Sequence, residues 1–188
     1  MFLLTCLLAS PAHAETPPRE VLLEVRDAQQ RIDRIGMSTL GGWAVANMAA
    51  GTAGWFVADD PEWAWFHLSN AGWNTVNLGL AASGLIGARR AQASRSEPAW
   101  PALPLESARM RAIFLFNGGL DFGYMAGGGL LWQRGIYEDD PRLVGMGKSV
   151  VLQGAFLLAF DLTMATLKWR ADAPLDIYLD PGGLTVRF

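Results

Sequence analysis

Cysteine and histidine are almost missing from this chain: one Cys, at position 6, and two His, at positions 13 and 67, in 188 residues. That excludes a disulfide scaffold and leaves no Cys/His set from which a zinc site could be built. No catalytic or nucleotide-binding signature stands out, so neither a cofactor nor a metal is expected. There is also no Lys/Arg-rich stripe, and 15 basic against 18 acidic residues give a net charge of -3, which excludes a basic nucleic-acid binder. At 51% hydrophobic residues the chain is not a disordered tail either. Charge is missing locally as well: residues 36–58 and 68–88 contain no Lys, Arg, Asp or Glu. The mean hydropathy of +0.19 is high for a soluble domain and modest for a polytopic one. The segregation of charge therefore decides, and it is the pattern of a membrane protein.

Four apolar segments are present, at 36–58, 68–88, 112–132 and 149–168. Each is close to the roughly twenty residues a helix needs to cross a hydrocarbon core. The first and third connections are short and acidic, Asp59-Asp60-Pro61-Glu62 and Glu138-Asp139-Asp140-Pro141, whereas the middle one, 89–111, is long, basic and interrupted by Pro98, Pro101 and Pro104. The expected fold is an all-α membrane protein of four transmembrane helices arranged as two hairpins. The shared Asp-Asp-Pro turns suggest a tandem repeat of parallel orientation.

The flanks read differently. Residues 1–14 combine an apolar run with Pro11 and the triplet Ala12-His13-Ala14, which predicts a signal peptide that would carry away Cys6. Residues 15–35 place Val21, Leu22, Val25 and Ile32 at helical spacing among charges and predict an amphipathic surface helix before the 36–169 transmembrane domain. In the 170–188 extramembrane tail, Leu175, Ile177 and Leu179 alternate ahead of Asp180-Pro181-Gly182-Gly183, and Leu184, Val186 and Phe188 alternate after it, the pattern of a short β-hairpin. The side holding both termini and the middle linker carries twelve Lys and Arg and the other side three, Arg134, Arg142 and Lys148. The positive-inside rule thus puts the N-terminus in the cytoplasm, while a cleaved leader would put it in the periplasm; the two rules oppose each other and leave orientation open. The expected location is the bacterial inner membrane, multi-pass, with the lipid bilayer as partner and a second copy or another membrane protein as a further one.

Polar groups inside the apolar segments are the candidate site. His67, Asn70, Asn74 and Asn77 follow at spacings of three, four and three, which keeps them on one face of the second helix. The third helix offers Asn117, Asp121 and Tyr124 on one face, the fourth Gln153 and Asp161, and the first Asn47. Counted from the basic side at about 1.5 Å per residue, Asn47 and Asn77 fall near 16 Å, Asp121 near 14 Å, Asp161 near 9 Å, and Asn74 and Gln153 near 21 Å. They form a band around mid-bilayer. Amides there need partners across helix interfaces. Asp121 and Asp161 have no Lys or Arg at their depth, so at least one is expected to hold a proton at neutral pH and to bond to Asn or Tyr. Lys148 reads as a surface anchor. Small-residue ridges, Gly42, Ala46, Ala50 and Gly54 in the first helix and Gly119, Gly123 and Gly127 in the third, predict close helix packing.

The run Phe116-Asn117-Gly118-Gly119-Leu120-Asp121 with Tyr124, the stretch from Gly145 and Gly147 through Ser149, Gln153 and Gly154 to Phe160-Asp161, and Trp73-Asn74 with Asn77 together resemble an uncharacterised family of small bacterial membrane proteins known only as a domain of unknown function. The resemblance spans 36–169. It implies the four-helix membrane fold and no activity. Two functions are then expected from the residues. In one, a structural or accessory membrane subunit, the polar band locks the helices together. In the other, a proton-linked or small-solute transport protein, it binds cargo. An enzyme ranks last, since His67 lacks a Cys or Ser partner at a suitable position.

Overall fold

The computed structural model describes residues 16–94, 97–100 and 102–179, and every regular element among them is helical. Four long helices carry the fold: α1 (Arg19–Val57), α2 (Pro61–Ser94), α3 (Ala102–Glu138) and α4 (Pro141–Asp172), followed by a 3-10 turn (Ala173–Leu175) and the short α5 (Asp176–Leu179). The expected leader, 1–14, and the second half of the expected β-hairpin, 180–188, lie outside the described residues. The first half of that hairpin is corrected: it is helical. A Pro opens the 3-10 turn, and Leu175 is fully buried against Leu22 and Val25 of α1, so tertiary packing overrides the alternating pattern. The amphipathic segment and the first apolar segment run together as one uninterrupted helix of 39 residues. At about 1.5 Å per residue it is roughly 58 Å long, well beyond a hydrocarbon core of about 30 Å.

Both hairpins turn on Asp-Pro, and for the same reason. Pro suits the first position of a helix, where its missing N–H would be unpaired in any case, and the preceding Asp caps the exposed amides. Asp60 Oδ1 accepts from the Glu62 amide at 2.8 Å, and Asp140 Oδ1 accepts from the Arg142 amide at 2.8 Å. The end of α3 is stopped by Asp139, which adopts a left-handed φ of 53°, and the Asp140 amide then donates back to the Gly135 carbonyl at 2.9 Å. Two residues suffice to reverse the chain.

Within each hairpin the helices pack along their length, and the hairpins meet where α2 lies beside α4. These two start at the same end and run parallel. α1 also reaches α4, whereas α3 packs on α4 and hardly touches α2. The closest approaches are made by glycines of α4. A Cβ on Gly145 would enter the backbone of α2 at Glu62 and Phe66, and one on Gly147 would stand 2.5 Å from the Trp132 amide nitrogen of α3. Of the expected ridges only Gly54 packs inside the chain, against the His67 ring; Gly42, Ala46 and Ala50 are exposed, and Gly119, Gly123 and Gly127 meet nothing within 4 Å. The inward face of α1 is instead Gly36, Leu40, Ala44, Gly51 and Gly54.

The distribution of polarity is inverted relative to a water-soluble bundle. Asn74, Ser149 and Gln153 are 0% exposed, while Phe56, Phe116, Phe122 and Leu130 are 78, 68, 66 and 69% exposed. Among the described residues two small apolar clusters are buried, Leu22, Val25 and Leu175 at one end and Phe114, Met164 and Ala165 further in. The stretch Pro141–Tyr178 is long and apolar enough to cross a membrane, with a mean hydropathy of 1.8 in its most apolar part.

The glycine contacts make a direct prediction. Gly147→Val should unseat α3 from α4, because the obstacle is backbone and cannot rotate away; a loss at or above the about 1–3 kcal/mol usual for overpacking is expected. Gly123→Val, on the open side of α3, should leave the thermal midpoint of the purified protein within a few degrees of the parent. Equal behaviour of the two variants would contradict the packing described.

Candidate functional site

The polar band separates into two clusters with different chemistry. The first is a closed ring of hydrogen bonds joining three helices. Trp43 Nε1–H of α1 donates to Gln153 Oε1 of α4 at 3.0 Å. Gln153 Nε2 donates to Asn70 Oδ1 of α2. Asn70 Nδ2 donates to Asn47 Oδ1 of α1 at 2.7 Å, and Asn47 Nδ2 donates to the Trp43 carbonyl at 2.8 Å, which closes the cycle. Two further amides extend it along α2: Asn74 Nδ2 donates to the Asn70 carbonyl at 2.8 Å, and Asn77 Nδ2 to Asn74 Oδ1 at 3.2 Å. Phe156 stacks on the Trp43 indole at 3.9 Å between ring centres and 4° between planes. Trp43, absent from the residues expected at the site, is thus one of its members.

The helical period explains why these residues meet. Spacings of three and four turn a residue through little more than one full revolution, so Asn70, Asn74 and Asn77 share the face of α2 that looks at α1 and α4. One turn away, the buried Nδ1 of His67 and the Oγ of Ser149 have no hydrogen-bond partner. His67 stands edge-on to Phe66 at 5.4 Å and against Gly54.

The second cluster is the carboxyl pair. Asp121 of α3 and Asp161 of α4 are 3% and 6% exposed and stand near each other at the α3–α4 contact. Expected to bond to Asn or Tyr, the two acids are brought beside each other by the fold. The reason is the close α3–α4 contact: a Cβ on Gly118, three residues before Asp121, would lie 4.0 Å from the Asp161 Cβ. Asp121 Oδ2 has no partner at all. Both acids line a cavity of about 530 Å³ between α2 and α3, together with Asn77, Asn117 and Tyr124. The Tyr124 ring meets Trp73 of α2 edge-to-face at 5.1 Å across its mouth.

The basic end holds a network that the sequence did not reveal. Lys168, 2% exposed, donates from Nζ to Gln29 Oε1 at 3.0 Å and pairs with Asp33 at 2.7 Å. Gln29 Nε2 donates to Asp172 Oδ1 at 2.7 Å, Ser107 Oγ donates to Asp172 Oδ2 at 2.6 Å, and Arg111 pairs with Asp172. Burial lowers the Arg111 guanidinium from its ordinary value, and nearby Asp176 opposes that shift. These groups answer one another and tie α1, α3 and α4 into a collar. At the opposite end Lys148 pairs with Glu62 and stands over the Trp63 and Trp132 rings at 5.6 and 5.1 Å. Among the described residues, no three His, Cys, Asp or Glu converge in a group able to hold a metal.

Fold and site together define an all-helical protein of two hairpins with a polar interior and a carboxyl pair on an open groove. The chain belongs to a family of unknown function, DUF6992, whose model matches residues 39–162. That range contains both the hydrogen-bond ring and the carboxyl pair, and it leaves out Gln29, Asp33, Lys168 and Asp172 of the collar. No curated protein and no solved structure matches the chain.

The ring is predicted to carry stability. Gln153→Leu strands the Trp43 indole N–H and the Asn70 Oδ1, at about 1–3 kcal/mol for each buried unsatisfied group. Ser149→Ala removes a hydroxyl that has no partner and should leave the midpoint equal or higher. Thermal unfolding followed by circular dichroism distinguishes them; an unchanged midpoint in Gln153→Leu would remove the ring from the structural account.

Proposed function

We propose that this chain is a four-span protein of the bacterial inner membrane, with 36–169 as its membrane domain and 15–35 and 170–188 outside it. In this reading the Asp121–Asp161 pair binds a proton, and the protein is a proton-linked carrier of a small solute held in the groove between α2 and α3. One observation carries the reading: two neighbouring buried carboxyls, with no cation beside them and one oxygen unpartnered, on the wall of an open cavity. Two neighbouring carboxylates shielded from water and without a cation resist being ionised together, so in this reading the pair holds a proton. Ionisable groups within a membrane domain mark pathways for ions or substrates by default.

The membrane assignment is supported by the inverted polarity. Large apolar side chains turned outward along all four helices are costly in water and favourable in lipid, whereas the amides and carboxyls turned inward would be costly facing lipid. The helices also extend well past the apolar segments at the end rich in Lys and Arg, where the collar of Lys168 and Asp172 is buried.

A second reading, an accessory subunit, is favoured by the bare ridge Gly119, Gly123 and Gly127 on α3. Such a ridge lets another helix, from a second copy or a different membrane protein, approach closely.

Two measurements test the proposal. The expressed protein should remain with the membrane fraction after alkaline extraction, and its release into the supernatant would end the membrane reading. Infrared spectra of the purified protein at neutral pH should contain a protonated-carboxyl band that disappears in the Asp121→Asn/Asp161→Asn double variant. A spectrum without that band refutes the proton-binding role.

A further inference from the structure

Building on that reading, we infer that the groove between α2 and α3 binds a lipophilic organic cation, entering sideways from the lipid, with Asp121 and Asp161 as its counter-charge in competition with protons. The size is right: about 530 Å³ is that of a site for a drug-sized molecule. The shape follows from the fold. Because α3 packs on α4 and hardly touches α2, the groove has a floor and two walls but no fourth side. A ligand reaches it laterally, between the exposed faces of Val76 and Leu120.

The lining chooses the ligand's chemistry. No Lys, Arg or His faces the cavity; its titratable groups are Asp121, Asp161 and Tyr124, from α3 and α4, and α1 and α2 contribute none. An anion therefore meets repulsion and no compensating charge. Most of the remaining wall is apolar or aromatic, with Trp73, Phe114 and Phe160 among it, which does not suit a sugar or an amino acid that needs many hydrogen bonds. A bare metal ion needs more oxygen or nitrogen ligands than two carboxyls provide. A wholly apolar molecule would leave the unpartnered Asp121 Oδ2 unused. A monovalent cation with an apolar body satisfies every part: its charge answers the carboxyls, and its body fills a groove lined by Trp73, Phe114 and Phe160.

Competition with protons follows from charge. The cation is held by the ionised form of the pair, so binding releases protons and tightens as pH rises.

The test uses the full chain, purified and reconstituted in zwitterionic phosphatidylcholine nanodiscs, with tetraphenylphosphonium as probe and tetraphenylborate as its anionic isostere. Saturable phosphonium binding, at least tenfold tighter at pH 8 than at pH 5.5 and at least tenfold weaker in Asp121→Asn and Asp161→Asn, is the expected result. Tetraphenylborate should not compete. Val76→Trp, which fills the groove without touching either acid, should weaken binding by a similar factor, and it supplies the answer if the Asp variants do not fold. Equal affinity for the two isosteres, pH-independent binding, or full affinity in Val76→Trp would each overturn the inference. The infrared band separates the two levels. Phosphonium failing to bind while the protonated-carboxyl band is present defeats the cation site alone, and absence of the band defeats the proton-binding reading beneath it.

Discussion

The ring running from the Trp43 indole through Gln153, Asn70 and Asn47 back to the Trp43 carbonyl is the constraint on which the rest of the architecture hangs. Each member gives one hydrogen bond and takes one, and the four lie on three helices. Sliding α1, α2 or α4 by one turn would move a member about 5.4 Å and break two bonds at once. Apolar side chains packed against apolar surroundings could not impose such a register, since their contacts are non-directional. The small residues around the ring allow this. Gly51 and Gly54 bring α1 within reach of α2, and Gly145 brings α4 against α2, so that short amide side chains can span the interfaces.

The register set by the ring holds three helices, and α3 is not among them. It is held to α4 through Gly128, Gly135, Gly147 and Gly154, and at its N-terminal end by the collar around Lys168 and Asp172. The hairpins are alike in their Asp-Pro turns and in the parallel course of α2 and α4, but their outer helices differ in reach. α1 continues across to α4, whereas the backbone of its counterpart α3 stands off from α2, which it reaches through the Tyr124–Trp73 ring pair. The groove is the gap left by that asymmetry. Its position beside Asp121 and Asp161 is therefore a consequence of how the hairpins dock.

Much of this was legible in the sequence, and what was not has identifiable causes. The Asn stripe of α2 stood out because a spacing of three and four is a direct image of the helix period, and Gln153 and Asn47 were recognisable as amides in otherwise apolar stretches. The inward face of α1 was misjudged because that helix has small residues on every side. Gly42, Ala46 and Ala50 satisfy the same four-residue spacing as Gly36, Leu40 and Ala44, and only the tertiary bond from Asn70 to Asn47 selects between them. Nothing local in the sequence marks Lys168 as buried. Its burial depends on Gln29 and Asp33, far away in sequence, being carried to it by the N-terminal extension of α1. The tail was misread because a two-residue alternation in so short a stretch is equally compatible with a turn that seats Leu175 under α1.

Whether the carboxyl pair could be one more structural tie is decided by what holds α3 against α4 without it. The two backbones come together at glycines on the turn side of the pair, from Gly128 and Gly147 to Gly154 beside Asp121 itself. That contact would persist with any small side chains at 121 and 161. A buried ionisable pair is also a poor tie, since replacing one with apolar groups of similar size is commonly neutral or stabilising. Asn at either position would give a neutral hydrogen bond of the kind used throughout the ring, at no cost in charge burial. The chain uses amides wherever three helices must be locked, and places its only two acids of the interior band on the wall of the groove, one of them with an oxygen that no neighbour answers. Acids so placed accord with the proposal that a proton or a cation arrives in the groove, since the α3–α4 contact itself does not call for them.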